Sequence, residues 1–287
     1  AAETTSPQLA AQLQVVTEAR QFSIDELGLP DNDSYRSYAD LERNFVVWNI
    51  VAAPEFSMQA KTWCYPIVGC VSYRGYFSEK KARDKAADLR ADGYDVALGG
   101  VSAYSTLGRF ADPILNTMTH WGEADLVSVM FHELAHQVLY IKDDTEFNES
   151  FATAVEEIGM ERWLTRQQQA DKLEAWRAQR VLRMEFTNLV ATTRDELNVL
   201  YDSAMSDVDK RQQKQAILEQ FAGQARQLFA ANNRPAPGWL DTELNNARLV
   251  STSLYHGRLQ EFRDLLTECE GDLPCFYKAA TRLAEST

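Results

Sequence analysis

The segment FHELAHQVLYIKDDTEFNESFATAVEEIG, residues 131–159, gathers the groups best suited to chemistry. His132 and His136, two of the chain's 4 histidines, stand four apart, and Glu133 follows the first. On an α-helix, residues i and i+4 share a face, so both imidazoles can address one ion. Zinc held by histidine nitrogen at about 2.0–2.1 Å suits that spacing. Glu133 lies one step round the helix, where it can reach a zinc-bound water without being a ligand. From there it can take the water's proton and pass it to a leaving amine. This is the arrangement written H-E-x-x-H. The competing reading is a core helix with two satisfied histidines. Val127, Met130, Phe131, Leu134 and Ala135 form an apolar stripe, so the helix should be buried. Burying two imidazoles and a carboxylate with nothing to bind is costly, which favours the zinc reading.

A catalytic zinc keeps three protein ligands and an open position. Downstream, Asp143, Asp144, Glu146, Glu149, Glu156 and Glu157 could supply the third. Glu149 is favoured by position, within the first turn of the next apolar-periodic stretch (Phe151, Ala152, Val155, Ile158). A helix packed antiparallel on the first would set Glu149 opposite His136. Glu156, two turns further on the same face, could hold a histidine in place, and Glu146 reads as a solvated residue.

The elements that must position these groups can be read along the chain. Residues 8–22 have helical apolar spacing, and Tyr35 to Phe56 resembles a second helix ended by Pro54. Cys64–Tyr76 (CYPIVGCVSYRGY) suggests short strands and turns. Ser78 to Asp92 predicts a helix with Ser78 as N-cap and Gly93 as its stop. Tyr94–Ala103 reads as a strand with a glycine break, and Leu107–Leu115 as irregular around Pro113. The histidine helix should run from about Glu123 to Leu139, with another starting near Asn148. Residues 160–231 read as two long antiparallel helices with a break near 203–207. Helix returns over Trp239–Leu283, interrupted at Cys269–Cys275.

Composition narrows the function classes. The chain has 287 residues and a net charge of −13, and its charges are mixed in sign along the long helices. A nucleic-acid partner is not expected, because binding phosphate needs clustered Lys and Arg. No run of 18 apolar residues occurs, so no membrane-spanning helix is expected. The 4 cysteines fall into two pairs six apart, Cys64 with Cys70 and Cys269 with Cys275. Disulfides closing both loops would suit an oxidising compartment. The N-terminal AAETTSPQLAAQLQVV lacks the basic start and apolar core of a signal peptide.

NESFATAVEEIG, residues 148–159, resembles the N-E-G-F-A-x-x-x-E stretch of the aminopeptidase N family of gluzincins. The resemblance implies Glu149 as third zinc ligand and aligns Glu156 with that motif's later Glu. Here twelve residues, positions 137–148, separate His136 from Glu149, a shorter stretch than in that family. Its amine-capturing G-x-M-E-N element is not found. A wider resemblance rests on WCYPIVGCVSYRGYF, AYSTLGRFADPIL, HELAHQ, FNESFATAVEEIG and NNARLVSTSLYH. These are similar to a family of bacterial predicted aminopeptidases whose members are typically exported and often carry a lipoprotein signal. The likeness to zinc peptidases implies a substrate-binding strand before the zinc helix, at Gly99–Gly108, with Gly100, Ala103 and Tyr104 facing the peptide. It also implies a distal oxyanion donor, for which Tyr255 and His256 are the candidates, Tyr255 being favoured and Tyr104 another. An aminopeptidase further needs an acid for the free amine, and Asp112, Glu146 and Glu156 could serve. His120 reads as a capping or surface residue.

The expected fold is mainly α (α+β): one zincin-like catalytic domain over 1–287, with a small β-sheet and a helical hairpin arm at 160–231. The expected function is a zinc metallopeptidase, by the resemblance an aminopeptidase, of the periplasm or an outer-membrane lipoprotein whose lipid-bearing leader was removed. Two alternatives remain open: a non-catalytic zinc-stabilised envelope protein that binds a partner through its arm, or a zinc hydrolase acting on cell-wall peptides.

Overall fold

The computed structural model describes residues 6–65, 69–103, 105–242, 244–253 and 258–285, the side chain of Ser253 excepted. Its elements are α1 (Pro7–Asp25), β1 (Tyr38–Ala39), β2 (Val47–Pro54), β3 (Trp63–Tyr65), β4 (Gly69–Val71), β5 (Arg74–Tyr76), α2 (Glu79–Ala91), β6 (Tyr94–Val101) and β7 (Ile114–Leu115). Helices then dominate: α3 (Glu123–Ala135), α4 (Thr145–Arg166), α5 (Ala170–Asp202), α6 (Asp207–Ala231), α7 (Trp239–Thr242), α8 (Asn246–Ser253), α9 (Leu259–Glu268) and α10 (Leu273–Glu285). The chain is thus mainly helical with small sheets, as expected. It divides into two compact units, one of residues 1–47, 100–173 and 255–287, the other of 48–99 and 174–254.

The first unit is helical, with β1 and β7 pairing in parallel at Tyr38↔Ile114 and Ala39↔Leu115. Its centre is the packing of α3 on α4. Leu126, Val127, Met130, Phe131 and Leu134 of α3 are fully buried, as are Phe147, Phe151, Ala152 and Val155 of α4. Each large apolar side chain so buried contributes about 1.5–3 kcal/mol. Gly159 permits the close approach: a Cβ there would stand 2.8 Å from the Phe131 ring and 2.9 Å from Leu27. Aromatic rings fill the other sides, with Phe22 against Phe131 and Trp163, and Phe151 stacked on Phe276. Arg263 of α9 ties to α4 through a two-pronged ion pair with Glu157, at 2.7 and 2.9 Å. The Cys269–Cys275 disulfide bridges the turn between α9 and α10.

The second unit is layered around a three-stranded sheet of order β5-β2-β6. Side chains alternate across β2, as a strand requires. Ile50 and Ala52 pack with Ala82, Ala86 and Leu89 of α2, while Val51 and Ala53 pack with the long helices α5 and α6. The hairpin therefore buries one side on the sheet, through Phe186, Val190, Leu218 and Phe221. Asn246 joins these layers: its amide bonds the carbonyls of Pro54, Glu55 and Ser57, and it accepts from the Tyr201 hydroxyl. Beside β3 and β4, a second disulfide joins Cys64 to Cys70, directly opposite each other in that antiparallel pair. Among the described residues, no helix is long and apolar enough to cross a membrane. Both disulfides are compatible with an extracytoplasmic protein.

Ser78 caps α2 by accepting from Lys81 N–H, and Gly93 at φ 84° ends it, as the sequence predicts. Other expectations are corrected. Tyr35 to Phe56 is not a helix; it holds β1 and β2, because VVWNIVAAP is buried on both faces of a central strand and periodicity cannot separate that from a core helix. The histidine helix stops at Ala135, where Gln137 and Val138 tighten into i→i+3 bonds to Leu134 and Ala135. α4 begins at Thr145, three residues before Asn148, because Asp144 caps it by accepting from Phe147 N–H. A break at 167–169 separates α4 from α5, so the hairpin proper is α5 with α6.

Gly159→Val should lower stability by about 2–3 kcal/mol through overpacking between Phe131 and Leu27. Gly223→Ala on α6, where a Cβ meets nothing within 4 Å, should raise it by up to about 1 kcal/mol. Chemical denaturation midpoints at unchanged m-value measure both; equal effects would contradict the close helix packing described.

Candidate metal centre

The α3 face that meets α4 carries Ser128, His132 and His136 at successive i+4 positions. Although α3 ends at Ala135, His136 keeps right-handed helical backbone and its N–H still points to His132 O at 3.4 Å. The i+4 relation between the imidazoles survives the helix end, and their ring centroids lie 4.9 Å apart. Across from them, Glu149 and Glu156 project from one face of α4, seven residues apart. Asn148 fixes the start of α4 by bonding both the N–H and the C=O of Ile141 at 2.7 Å.

His132 is held from both sides. Its Nε2 lies 3.2 Å from Glu149 Oε2 and its Nδ1 3.1 Å from Glu156 Oε2. The other Glu156 oxygen accepts from the Ser128 hydroxyl at 2.5 Å. His136 Nε2 stands 3.8 Å from Glu149 Oε1. Its Nδ1 is buried without a hydrogen-bond partner among the described residues. One ligating atom from each of His132, His136 and Glu149 lies within 4.8 Å of the others. Donors around a tetrahedral zinc at 2.0–2.1 Å stand roughly 3.3 Å apart. The closest approaches to the Glu149 carboxylate, 3.2 Å from His132 to Oε2 and 3.8 Å from His136 to Oε1, are of that order. The residues fit a metal ion: an N,N,O donor set suits a divalent metal such as zinc, and buried His136, lowered to about 4, is a neutral ring able to ligate.

Charges in this cluster push its groups apart. Burial, with His132 beside it, lowers His136 to about 4, so it is a neutral donor. Burial opposes protonation of His132 as well, but the hydrogen bonds and charges of Glu149 and Glu156 outweigh it and raise His132 well above its usual range. Glu133 is raised to about 7, first by burial and then by the nearby charges of Glu149, Asp112 and Glu156, with His132 acting the other way. Among the described residues, Glu133 makes no side-chain hydrogen bond or ion pair.

Two loops lie on the Glu133 side of α3. Gln137 is one turn beyond Glu133 and accepts from Asn32 Nδ2 at 2.7 Å; its own amide points to Ser34 Oγ at 3.4 Å. Gly108 of the other loop sits against the same side chain, where a Cβ would be 3.1 Å from Gln137 Oε1. The first loop is fastened by Arg20, only 2% exposed, which donates to the carbonyls of Pro30, Asn32 and Ser34 and to Ser23 Oγ. It ends at Tyr35, with φ 62° and its N–H on Asp112 O at 2.6 Å.

The remaining expected residues are distributed differently. Gly100 is covered by the Phe45 ring, 2.3 Å from where a Cβ would be, and Ala103 is half-buried just after β6. Tyr104, Tyr255 and His256 lie outside the described residues. Glu157 is engaged by Arg263, Asp144 is the α4 cap, and Glu146 is exposed. Exposed His120 packs edge-on against Trp121. Glu149 lies deeper in α4 than a first-turn position, because that helix starts earlier. Ser128 was not singled out by sequence, although its place one turn before His132 was a usable signal. Arg20 and Tyr35 gave none, since their roles come from tertiary contacts.

Among known proteins, a family model described as a putative aminopeptidase matches residues 1–287. No curated protein and no solved structure matches the chain.

Metal uptake should release protons, because His132 is held protonated and must become neutral to bind. Affinity should therefore rise with pH, and Glu156→Gln should weaken it roughly 10- to 100-fold. Calorimetry in buffers of differing ionisation enthalpy reads both effects; uptake without proton release would remove His132 from the ligand set.

Proposed function

The chain belongs to the putative aminopeptidase family, and from that premise we propose that it is a zinc-dependent metallopeptidase of gluzincin type that removes N-terminal residues. The observation that carries this reading is Glu133, a carboxylate without a partner among the described residues, next to the three-donor group His132, His136 and Glu149. The N-E-x-F-A stretch at Asn148–Ala152, similar to that of the aminopeptidase N family, supports Glu149 as third ligand.

Each residue then has a part. His132 and His136 present ring nitrogens, and Glu149 presents a carboxylate oxygen. Glu156 fixes the His132 ring by accepting from it, and is itself held by Ser128. Zinc bound there would supply Lewis acidity to an attacking water and to the scissile carbonyl. Glu133 takes the proton from that water and delivers it to the departing amine. In the metal-free protein, burial first and then the neighbouring acids raise Glu133 to about 7. Tyr255 or His256 is proposed to stabilise the oxyanion, and Ala103 and Tyr104 to contact the peptide. The disulfides support a periplasmic or outer-membrane setting.

Glu133→Gln should keep about one zinc per chain while turnover of aminoacyl anilides falls by roughly 10²–10⁴. Metal analysis and steady-state kinetics on the same preparation test this. Unchanged turnover with metal bound would refute the assignment.

A further inference from the structure

Both sequence neighbours of Glu149 are tied to backbone outside α4. Asn148, 2% exposed, accepts from Ile141 N–H and donates to Ile141 O, each at 2.7 Å. Ser150, fully buried, accepts from Arg258 N–H at 3.2 Å. Successive residues of an α-helix stand about 100° apart round its axis, so these bonds grip α4 on either flank of the direction in which Glu149 projects. Neither bond is needed to start the helix. Asp144 already caps it by accepting from Phe147 N–H, and the Arg258 guanidinium, 3.5 Å from Asp144 Oδ2 and 5.1 Å from the centre of the Phe147 ring, secures that cap.

What the flanking bonds do fix is rotation. A turn of α4 by about 10° would carry a group at the helix surface by about 1 Å. A metal site tolerates ligand displacements of only about 0.2 Å. Glu149 must present its carboxylate to His132 and His136 together, at 3.2 and 3.8 Å. Hydrogen bonds are directional and resist such a turn, whereas apolar contact is not. The two bonds also reach different parts of the unit. Ile141 lies in the stretch of positions 137–148 that joins His136 to Glu149, so Asn148 shortens the free chain between those two donors. Arg258 is the N-cap residue of α9, so Ser150 ties the Glu149 helix to the C-terminal helices.

We infer that Asn148 and Ser150 are positioning residues for the metal: together they fix the rotation of α4 and so aim the Glu149 carboxylate at the ion that His132 and His136 share. This inference rests on the metal-dependent reading above and deepens it. Coupling is reciprocal, so whatever the two bonds contribute to metal binding, the metal returns to the bonds. Metal uptake should therefore slow hydrogen exchange at two amides far apart in sequence, Ile141 and Arg258.

The test uses the full chain. Zinc affinity is read by competition with a chromophoric chelator, ligand geometry by the visible absorption of the cobalt-loaded protein, and amide exchange with and without zinc. Ser150→Ala should weaken zinc binding roughly 3- to 10-fold, the value of one neutral hydrogen bond. Asn148→Ala, which loses two bonds, should weaken it roughly 10- to 100-fold. Asn148→Asp keeps the acceptor for Ile141 N–H and should fall between wild type and Asn148→Ala. Both alanine variants should alter the cobalt bands, and Ser150→Ala should abolish the protection that zinc gives the Arg258 amide. Ser150→Ala removes a single oxygen from a helix that keeps its own cap, so it decides the matter if Asn148→Ala does not fold. Wild-type zinc affinity and an unchanged cobalt spectrum in Ser150→Ala overturn the inference. So does exchange at Ile141 and Arg258 that zinc leaves unaltered in the wild-type protein. A wild-type chain that takes up neither metal overturns the metal reading and this inference together, whereas metal uptake matched by the variants overturns the inference alone.

Discussion

The first unit depends on one buried interaction, His132 held between Glu149 and Glu156. Two carboxylates enter a helix interface only when something positive or protonated meets them there. α3 supplies that group, and Ser128, one turn earlier, occupies the last oxygen facing it. Removing either acid would leave the imidazole with a single partner, and removing the imidazole would leave two acids facing each other. The apolar packing around Phe131 and Phe151 sets how near the helices come, while this triplet sets their register. Gly159 belongs to the same constraint, because a side chain there would push α4 away from the ring of Phe131.

The same triplet shapes the electrostatics around it. Glu133, Glu149, Glu156 and Asp112 all belong to one small region in which His132 is the cation acting on Glu133. Such an excess of negative charge can be relieved by protonation, by a metal ion or by a cationic ligand. Burial first, and then the charges of Glu149, Asp112 and Glu156, raise Glu133 and so favour the first route. The Arg20 clamp takes no part in that relief. Its guanidinium is spent on carbonyls and a hydroxyl, so a permanent positive charge serves as scaffolding for the loop that ends at Tyr35.

Much of this was legible in the sequence where the signal is local. The HELAH spacing, Glu149 and Glu156 two turns apart, the Ser78 cap and the Gly93 stop depend on neighbours within a turn or two. Both cysteine pairs also formed as their spacing suggested. The failures have a common cause. VVWNIVAAP reads equally as a core helix or a central strand, and only pairing with β5 and β6 decides between them. The early end of α3 accompanies the grip of Asn32 on Gln137, more than a hundred residues away in sequence. Asp112 could be named as one acid among three, but its surroundings come from loops that the sequence does not bring together.

The two disulfides close spans of only six residues each. In the chain-entropy picture a loop so short removes about 2 kcal/mol of unfolded-state freedom. Neither bond ties distant segments together, so each acts as a local staple and neither dictates the topology. Since α3 and α4 contain no cysteine, His132, His136 and Glu149 can assemble without waiting for thiol chemistry. The two bonds thus act on local loops, outside the helices that carry the candidate metal ligands.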